Sequence, residues 1–360
     1  MLHPLPRYIF RMIIGGAVAL TLLGSSVAFA QATPIHTRDA RAIDALLAPY
    51  FNRDEPGATV IVTQGGKLIL HKAYGLANLD ANAEMTAEMV LRLGSISKQY
   101  TAVGIMILVD QGKLTIYDEI TKYLPDYPTQ GKKITIENLL THTSGIKGYT
   151  SMPAFRSIMH TDMTVAARID FFKNEPFEFE PGTHYTYRTY RTYRNSGYFL
   201  LGAIIEKVSG KPYADFVAQQ IFEPLGMKDT AYEWRERNGH KRIEGYTRGN
   251  ENHIKKAAAI SMTQPYSAGA LVSTVDDLAR WDAAITAGKP LKPATWTKMF
   301  TLYRLPNGDS TGYGYGWQIR TMQNHLAIEH DGGIPGFASG AMRLPDYRTS
   351  KKSCCTSGGR

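Results

Sequence analysis

The chain has 360 residues, 43% hydrophobic and 20% charged, enough apolar content to bury a full core in one large domain or in two lobes sharing a site. Its formal net charge of +9 comes from Lys and Arg scattered among Asp and Glu. No dense basic run marks a nucleic-acid partner, and only a mild attraction to anionic surfaces such as a cell envelope is implied.

Residues 1–30 read as a secretory signal. Arg7 and Arg11 precede an apolar stretch from Met12 to Val27, and Ala28-Phe29-Ala30 offers small residues for cleavage before Gln31. The expected location is therefore periplasmic or extracellular. No other segment is long and apolar enough to span a bilayer. Arg38 to Tyr50 predicts an amphipathic helix with Ile43, Leu46 and Leu47 on one stripe. Ala58 to Thr63, a Gly65-Gly66 turn and Lys67 to Ala73 predict a β-hairpin. Helices are expected after Ser95 as far as Gly112, over Ile136 to His142, over Gly197 to Val208 and over Val275 to Ile285. Strand character returns at Gly316 to Arg320, His325 to Glu329 and Phe337 to Leu344. Strands at both ends with helices between them predict an α+β fold: an antiparallel sheet flanked by helices, plus a mostly helical lobe. The domain spans 31–345, with the sheet lobe over about 31–90 and 260–345 and the helical lobe over about 91–260. The cysteines, Cys354 and Cys355, are neighbours, so no disulfide framework is implied.

Ser95-Ile96-Ser97-Lys98 carries the chemistry. At a helix start, positions i and i+3 share a face, so the Lys98 amine can reach the Ser95 hydroxyl. The helix N-terminus supplies positive potential where an oxyanion would develop. Apolar neighbours favour the neutral amine that a general base must be. A second S-x-x-K, Ser144-Gly145-Ile146-Lys147, follows a helix and is broken by Gly145 and Gly148, so its two side chains need not face each other. Gly308-Asp309-Ser310-Thr311-Gly312 matches a nucleophile elbow but lies in a glycine-rich turn without the strand and helix such an elbow needs. His325 and His330 lie along a strand with no third ligand in a matching motif, so neither metal nor cofactor is expected.

Further phrases follow in order: Leu139-Leu140-Thr141-His142-Thr143-Ser144-Gly145, Tyr193-Arg194-Asn195 with Gly197-Tyr198, Pro224-Leu225-Gly226-Met227, and His330-Asp331-Gly332. Together with the Ser95 motif they resemble the serine β-lactamase and penicillin-binding-protein superfamily, in its class C-like branch of esterases and D-amino-acid peptidases. The resemblance runs from about Ile43 to about Leu344 and implies the β-lactamase/transpeptidase-like fold, with the active site between sheet and helical lobe. It makes Ser95 the nucleophile, Lys98 its base and Tyr193 the proton shuttle. Asn195, His330 and Gly332 fall to substrate binding, and the backbone amides of Ser95 and Gly333 to the oxyanion hole. It also gives Ser144 a structural role. His142 reads as a satisfied buried histidine. Thr-Tyr-Arg occurs three times from Thr186 to Arg194, so Tyr187 and Tyr190 are alternatives to Tyr193, which alone carries an Asn two residues on.

Two features depart from the family. The tandem adds about six residues between Pro181-Gly182 and Tyr193, a length that a loop absorbs at small closure cost. Residues 346–360 have no apolar period and look like a frame shift or truncation, predicting a disordered tail. The relatives' last two strands and C-terminal helix are then missing, which predicts a split sheet, instability and aggregation. The expected activity is hydrolysis of small ester, amide or peptide substrates through an acyl-enzyme, with D-amino-acid peptides among the candidates. His330 in place of lysine argues against recognition of a β-lactam carboxylate. A β-lactamase and a non-catalytic penicillin-binding-like module are the alternatives. No obligate protein partner is evident.

Overall fold

A computed structural model of the chain describes residues 35–187, 195–233, 243–249, 253–345 and 352–358. The secretory signal expected over residues 1–30 lies outside them. Helix α1 (Ile35–Leu47) buries Ile43 and Leu47 against the hairpin formed by β1 (Ala58–Gln64) and β2 (Lys67–Tyr74). Asp44 fastens the helix to β2: its carboxylate accepts from Lys72 Nζ at 2.6 and 2.8 Å and from the Tyr74 hydroxyl at 2.7 Å. The Lys72 hydrogen bond, then that of Tyr74, holds this carboxyl below its ordinary value.

Helix α2 (Ser97–Asp110) is the centre of the molecule. It is apolar around most of its circumference, and every residue from Ser97 to Leu108 is buried. The short helix α3 (Ile136–Leu140) starts at a capping box between Thr135 and Asn138. Helix α4 (Ser196–Ser209) packs against both. The segment from Tyr266 to Ser273 is sewn to them by hydroxyls. Thr101 Oγ1 donates to Ser267 O at 2.6 Å, Ser267 Oγ donates to Tyr198 O at 2.8 Å, and Ser97 Oγ accepts from Leu271 N at 3.1 Å.

The sheet is built by β1, β2, β3 (Gln318–Met322), β4 (His325–Ile334), β5 (Phe337–Arg343) and β6 (Lys352–Gly358), in the order β3-β4-β5-β6-β1-β2, with every neighbouring pair antiparallel. Helix α5 (Val275–Thr286) lies on it, tied by His71 to Asp276 at 3.1 Å and by Arg343 to Asp282 at 3.3 Å.

The strand expected over Phe337 to Leu344 is β5. Lys352–Gly358, within the stretch expected to be a disordered tail, forms a further strand between β5 and the hairpin. The register runs from Arg343↔Ser353 to Ala338↔Gly358 on one edge and from Gln64↔Lys352 to Ala58↔Gly358 on the other. The Lys-Ser-Cys-Cys-Thr-Ser-Gly stretch has no apolar alternation to announce a strand. Ladder hydrogen bonds use the backbone alone, however, and the open edges of β5 and β1 supply partners on both sides.

Candidate active site

Ser95 stands in a single 3-10 turn, Gly94–Ile96, that runs directly into α2. Lys98 is therefore the second residue of the helix proper, on the same face as Ser95. Its Nζ lies 3.0 Å from Ser95 Oγ, 2.8 Å from Asn195 Oδ1 and 2.9 Å from the Ala268 carbonyl oxygen. The side chain is fully buried at 0% exposure. Burial lowers its pKa to about 7, with Asp331 opposing the shift through its charge. A lysine that is ordinarily charged is thus half neutral near neutrality, with its nitrogen in hydrogen-bond contact with the nucleophile.

Asn195 is delivered by the N-terminus of α4, where it occupies the N-cap position. Its carboxamide oxygen accepts from Lys98, while Ser196 Oγ accepts from Tyr149 N at 3.0 Å and donates to Lys147 O at 2.7 Å. The Ser144 motif is absorbed into structure. Ser144 Oγ accepts from Ile146 N at 3.3 Å, and Lys147 pairs with Glu175 at 2.7 Å, away from Ser144. The Gly308–Gly312 stretch is a turn joined by a bridge between Arg304 and Ser310, and Ser310 is exposed. Tyr193, expected as the shuttle, lies outside the described residues, as does Tyr190.

Strand β4 forms the opposite wall. Gly332 passes so close to the nucleophile turn that a Cβ there would stand 2.0 Å from Leu93 O and 2.4 Å from Ser339 Oγ. Ser339 Oγ itself donates to Leu93 O at 2.7 Å, pinning β5 to the same turn. Gly94 has φ +51°, and a Cβ on it would meet the Gly333 backbone nitrogen at 2.9 Å. Glycine is required at both positions for the backbones to approach. The consequence is that the Gly333 amide and the Ser95 turn lie side by side, the placement an oxyanion pocket needs.

His330 does not face solvent. It is 1% exposed, its Nδ1 lies 2.7 Å from the Asp331 carbonyl oxygen and its Nε2 2.9 Å from the Tyr313 hydroxyl. A carbonyl can only accept, so Nδ1 carries the hydrogen; in the neutral ring Nε2 then accepts from Tyr313. His142 is buried, as expected, with its ring 4.4 Å from Tyr187, 4.9 Å from Tyr198 and 5.0 Å from Tyr313. Two groups beside the site escaped sequence reasoning. The Ala268 carbonyl has no residue-type signal, and Tyr313 is one of two tyrosines in a glycine-rich turn. Tyr187, named as an alternative to Tyr193, lies with its ring 5.6 Å from Lys98 Nζ.

A family model described as Beta-lactamase matches residues 40–350. The chain belongs to the Beta-lactamase family. This Beta-lactamase-family chain is 30% identical to Penicillin-binding protein 4* of Bacillus subtilis over 305 residues, 81% of the chain and 66% of that protein. It is 28% identical to Esterase EstB of Burkholderia gladioli over 214 residues, covering 54% of the chain and 53% of the esterase. It thus spans about two thirds or less of the length of these curated relatives. Among solved structures, D-amino acid amidase from Ochrobactrum anthropi SV3, complexed with D-phenylalanine, superposes with a TM-score of 0.74 at 25% identity, over 88% of this chain and 90% of that one. The octameric penicillin-binding protein homologue from Pyrococcus abyssi gives 0.73 at 27% identity, over 88% and 72%. The fold is that of the β-lactamase and penicillin-binding-protein superfamily, α+β with an antiparallel sheet, as the order of the motifs implied.

Proposed function

We propose that this protein is a serine hydrolase that cleaves small esters or amides through an acyl-enzyme on Ser95. The observation that carries the proposal is the buried Lys98 amine at 3.0 Å from Ser95 Oγ, its pKa lowered to about 7. Neutral Lys98 takes the Ser95 proton as Oγ attacks the carbonyl, and the amides of Ser95 and Gly333 receive the oxyanion. Collapse expels the leaving group with that proton, and water then releases the acyl group by the same steps in reverse order. Asn195 and the Ala268 carbonyl hold the amine in place through hydrogen bonds of 2.8 and 2.9 Å.

The substrate class follows from the opposite wall. His330 stands where a lysine would, with both ring nitrogens engaged by the Asp331 carbonyl and the Tyr313 hydroxyl, so the strand presents no lysine ammonium from this position to a substrate carboxylate. That favours uncharged acyl groups and amides over β-lactams, and the likeness to a D-amino acid amidase makes D-amino-acid amides and esters the first class to test. The secretory signal read in residues 1–30 supports export to the cell envelope or beyond.

Mass spectrometry of the intact chain after mixing with p-nitrophenyl butyrate, D-alanine p-nitroanilide or nitrocefin tests the proposal. The expected result is an acyl adduct on Ser95 with turnover of the ester or anilide, and neither with Ser95→Ala. Undiminished hydrolysis by Ser95→Ala overturns the mechanism. A stable Ser95 adduct without turnover of any of the three overturns hydrolysis in favour of a binding module.

A further inference from the structure

We propose that Tyr187, the first tyrosine of the tandem, supplies the hydroxyl that relays protons beside Lys98, in place of Tyr193. The inference rests on the acyl-enzyme reading and names a residue of that same site. Tyr187 is 5% exposed, and its ring lies 5.6 Å from Lys98 Nζ. Its ring stacks on His142 at 4.4 Å with an interplanar angle of 16°, and it stands 5.5 Å from both Tyr313 and His330. The ring is therefore enclosed by groups from three separate parts of the chain, with the reacting amine on one side.

The backbone delivering it is fixed as well. Gly182 N donates to Thr143 O at 2.7 Å and Thr186 N donates to His142 O at 3.3 Å, so the segment leading to Tyr187 is laced to the turn after α3. Asn195 reaches Lys98 from the other direction, from the start of α4. The tyrosine whose ring packs beside this lysine and the asparagine bonded to it are thus eight residues apart in sequence rather than two. The tandem adds about six residues before Tyr193, and counting that length back from Tyr193 lands on Tyr187. Repetition of Thr-Tyr-Arg left the first copy at the lysine and the asparagine beside the last.

In acylation, the Ser95 proton passes to Lys98 Nζ as the Oγ–C bond forms. As the C–leaving-group bond breaks, the Tyr187 O–H protonates the leaving group and is reprotonated from Lys98, which returns to the neutral amine. In deacylation the proton of the attacking water returns to Ser95 Oγ along the same groups, so protons balance over the cycle.

Tyr187→Phe and Tyr193→Phe, assayed in the full chain with p-nitrophenyl butyrate, decide the matter, because phenylalanine keeps the ring against His142 and removes only the hydroxyl. The expected result is a fall in kcat of about 100-fold or more for Tyr187→Phe, with a changed pH profile, and less than about threefold for Tyr193→Phe. A large fall in Tyr193→Phe alone, or equal falls in both, overturns the proposal. Should Tyr187→Phe fail to fold, 3-fluorotyrosine placed at 187 or at 193 lowers the phenol pKa with little change in shape. A displaced pH profile for substitution at 187 only supports the proposal; displacement at 193 only, or at neither, overturns it. A wild-type chain that forms no adduct on Ser95 refutes the hydrolase reading instead, so the two failures are distinguishable.

Discussion

In the proposed mechanism the neutral form of Lys98 accepts the Ser95 proton, and burial brings its pKa to about 7, so the proposed activity carries a definite pH sign. Below the pKa the amine is protonated and kcat/KM falls tenfold per pH unit; above it the rate approaches a plateau. A rate profile between pH 5 and 9 with its ascending limb centred near 7 is the expected measurement, and a flat profile contradicts the assignment. Lys98→Met removes the base and is expected to cut kcat by at least about a thousandfold, within the range that proton transfer and activation of the nucleophile supply together. Tyr313→Phe acts less directly. It deprives His330 Nε2 of its 2.9 Å partner and frees the ring, which lies 5.5 Å from Tyr187, to shift. A loss of about tenfold in kcat with KM little changed is expected, because a buried hydrogen bond that holds a group in place contributes about 1–2 kcal/mol. At this scale the sequence was legible wherever chemistry sits at fixed spacing. Ser95 and Lys98 needed only i and i+3, and the alternatives at Ser144 and Ser310 fell to their local glycines. Among Tyr187, Tyr190 and Tyr193 the sequence favours Tyr193, which alone carries an Asn two residues on, and the tripeptides themselves carry no other local difference.

The elements show the same division. The hairpin β1–β2, the buried α2 and the amphipathic α5 were readable because burial on one or all faces leaves a period in the side chains. Strand β6 left none. It exists because β5 and β1 each offer a row of amides and carbonyls, and its pairing is therefore a property of its neighbours rather than of its own residues. Backbone chemistry also tells how to break it. Cys355 pairs with Ile61 on one side and Ala341 on the other, so Cys355→Pro removes a ladder donor in the interior of the sheet. A loss of about 1–3 kcal/mol, read as a lower thermal midpoint, is expected, with more light scattering on heating as edges open. A Pro at 355 without effect on the midpoint would show that the strand contributes nothing to stability.

Across the whole molecule, the site sits where the nucleophile turn, α4 and β4 meet, and the sheet must hold β4 against the rest. Helix α5 helps do so through Arg343, which is 7% exposed and bonds Asp282 at 3.3 Å and the Thr286 hydroxyl at 2.9 Å. Burial lowers the Arg343 pKa, and Asp282 opposes the shift. Removing the carboxylate strands a buried guanidinium. Asp282→Ala is therefore expected to cost about 3 kcal/mol in a denaturant titration, while Asp282→Asn, which still offers an oxygen, costs less. Such coupling between helix and sheet lay beyond sequence reading, since an ion pair between residues far apart in the chain has no local pattern.

The register of β6 has a temporal corollary. Ala58 and Gly358 face each other across one rung although 300 residues separate them. On a ribosome adding ~5–20 residues per second, the first hairpin waits about 15–60 s for the strand that covers its edge. Until then the nascent chain carries a bare row of amides and carbonyls, and a chaperone or secretion factor that shields such edges has its window of action before β6 is made.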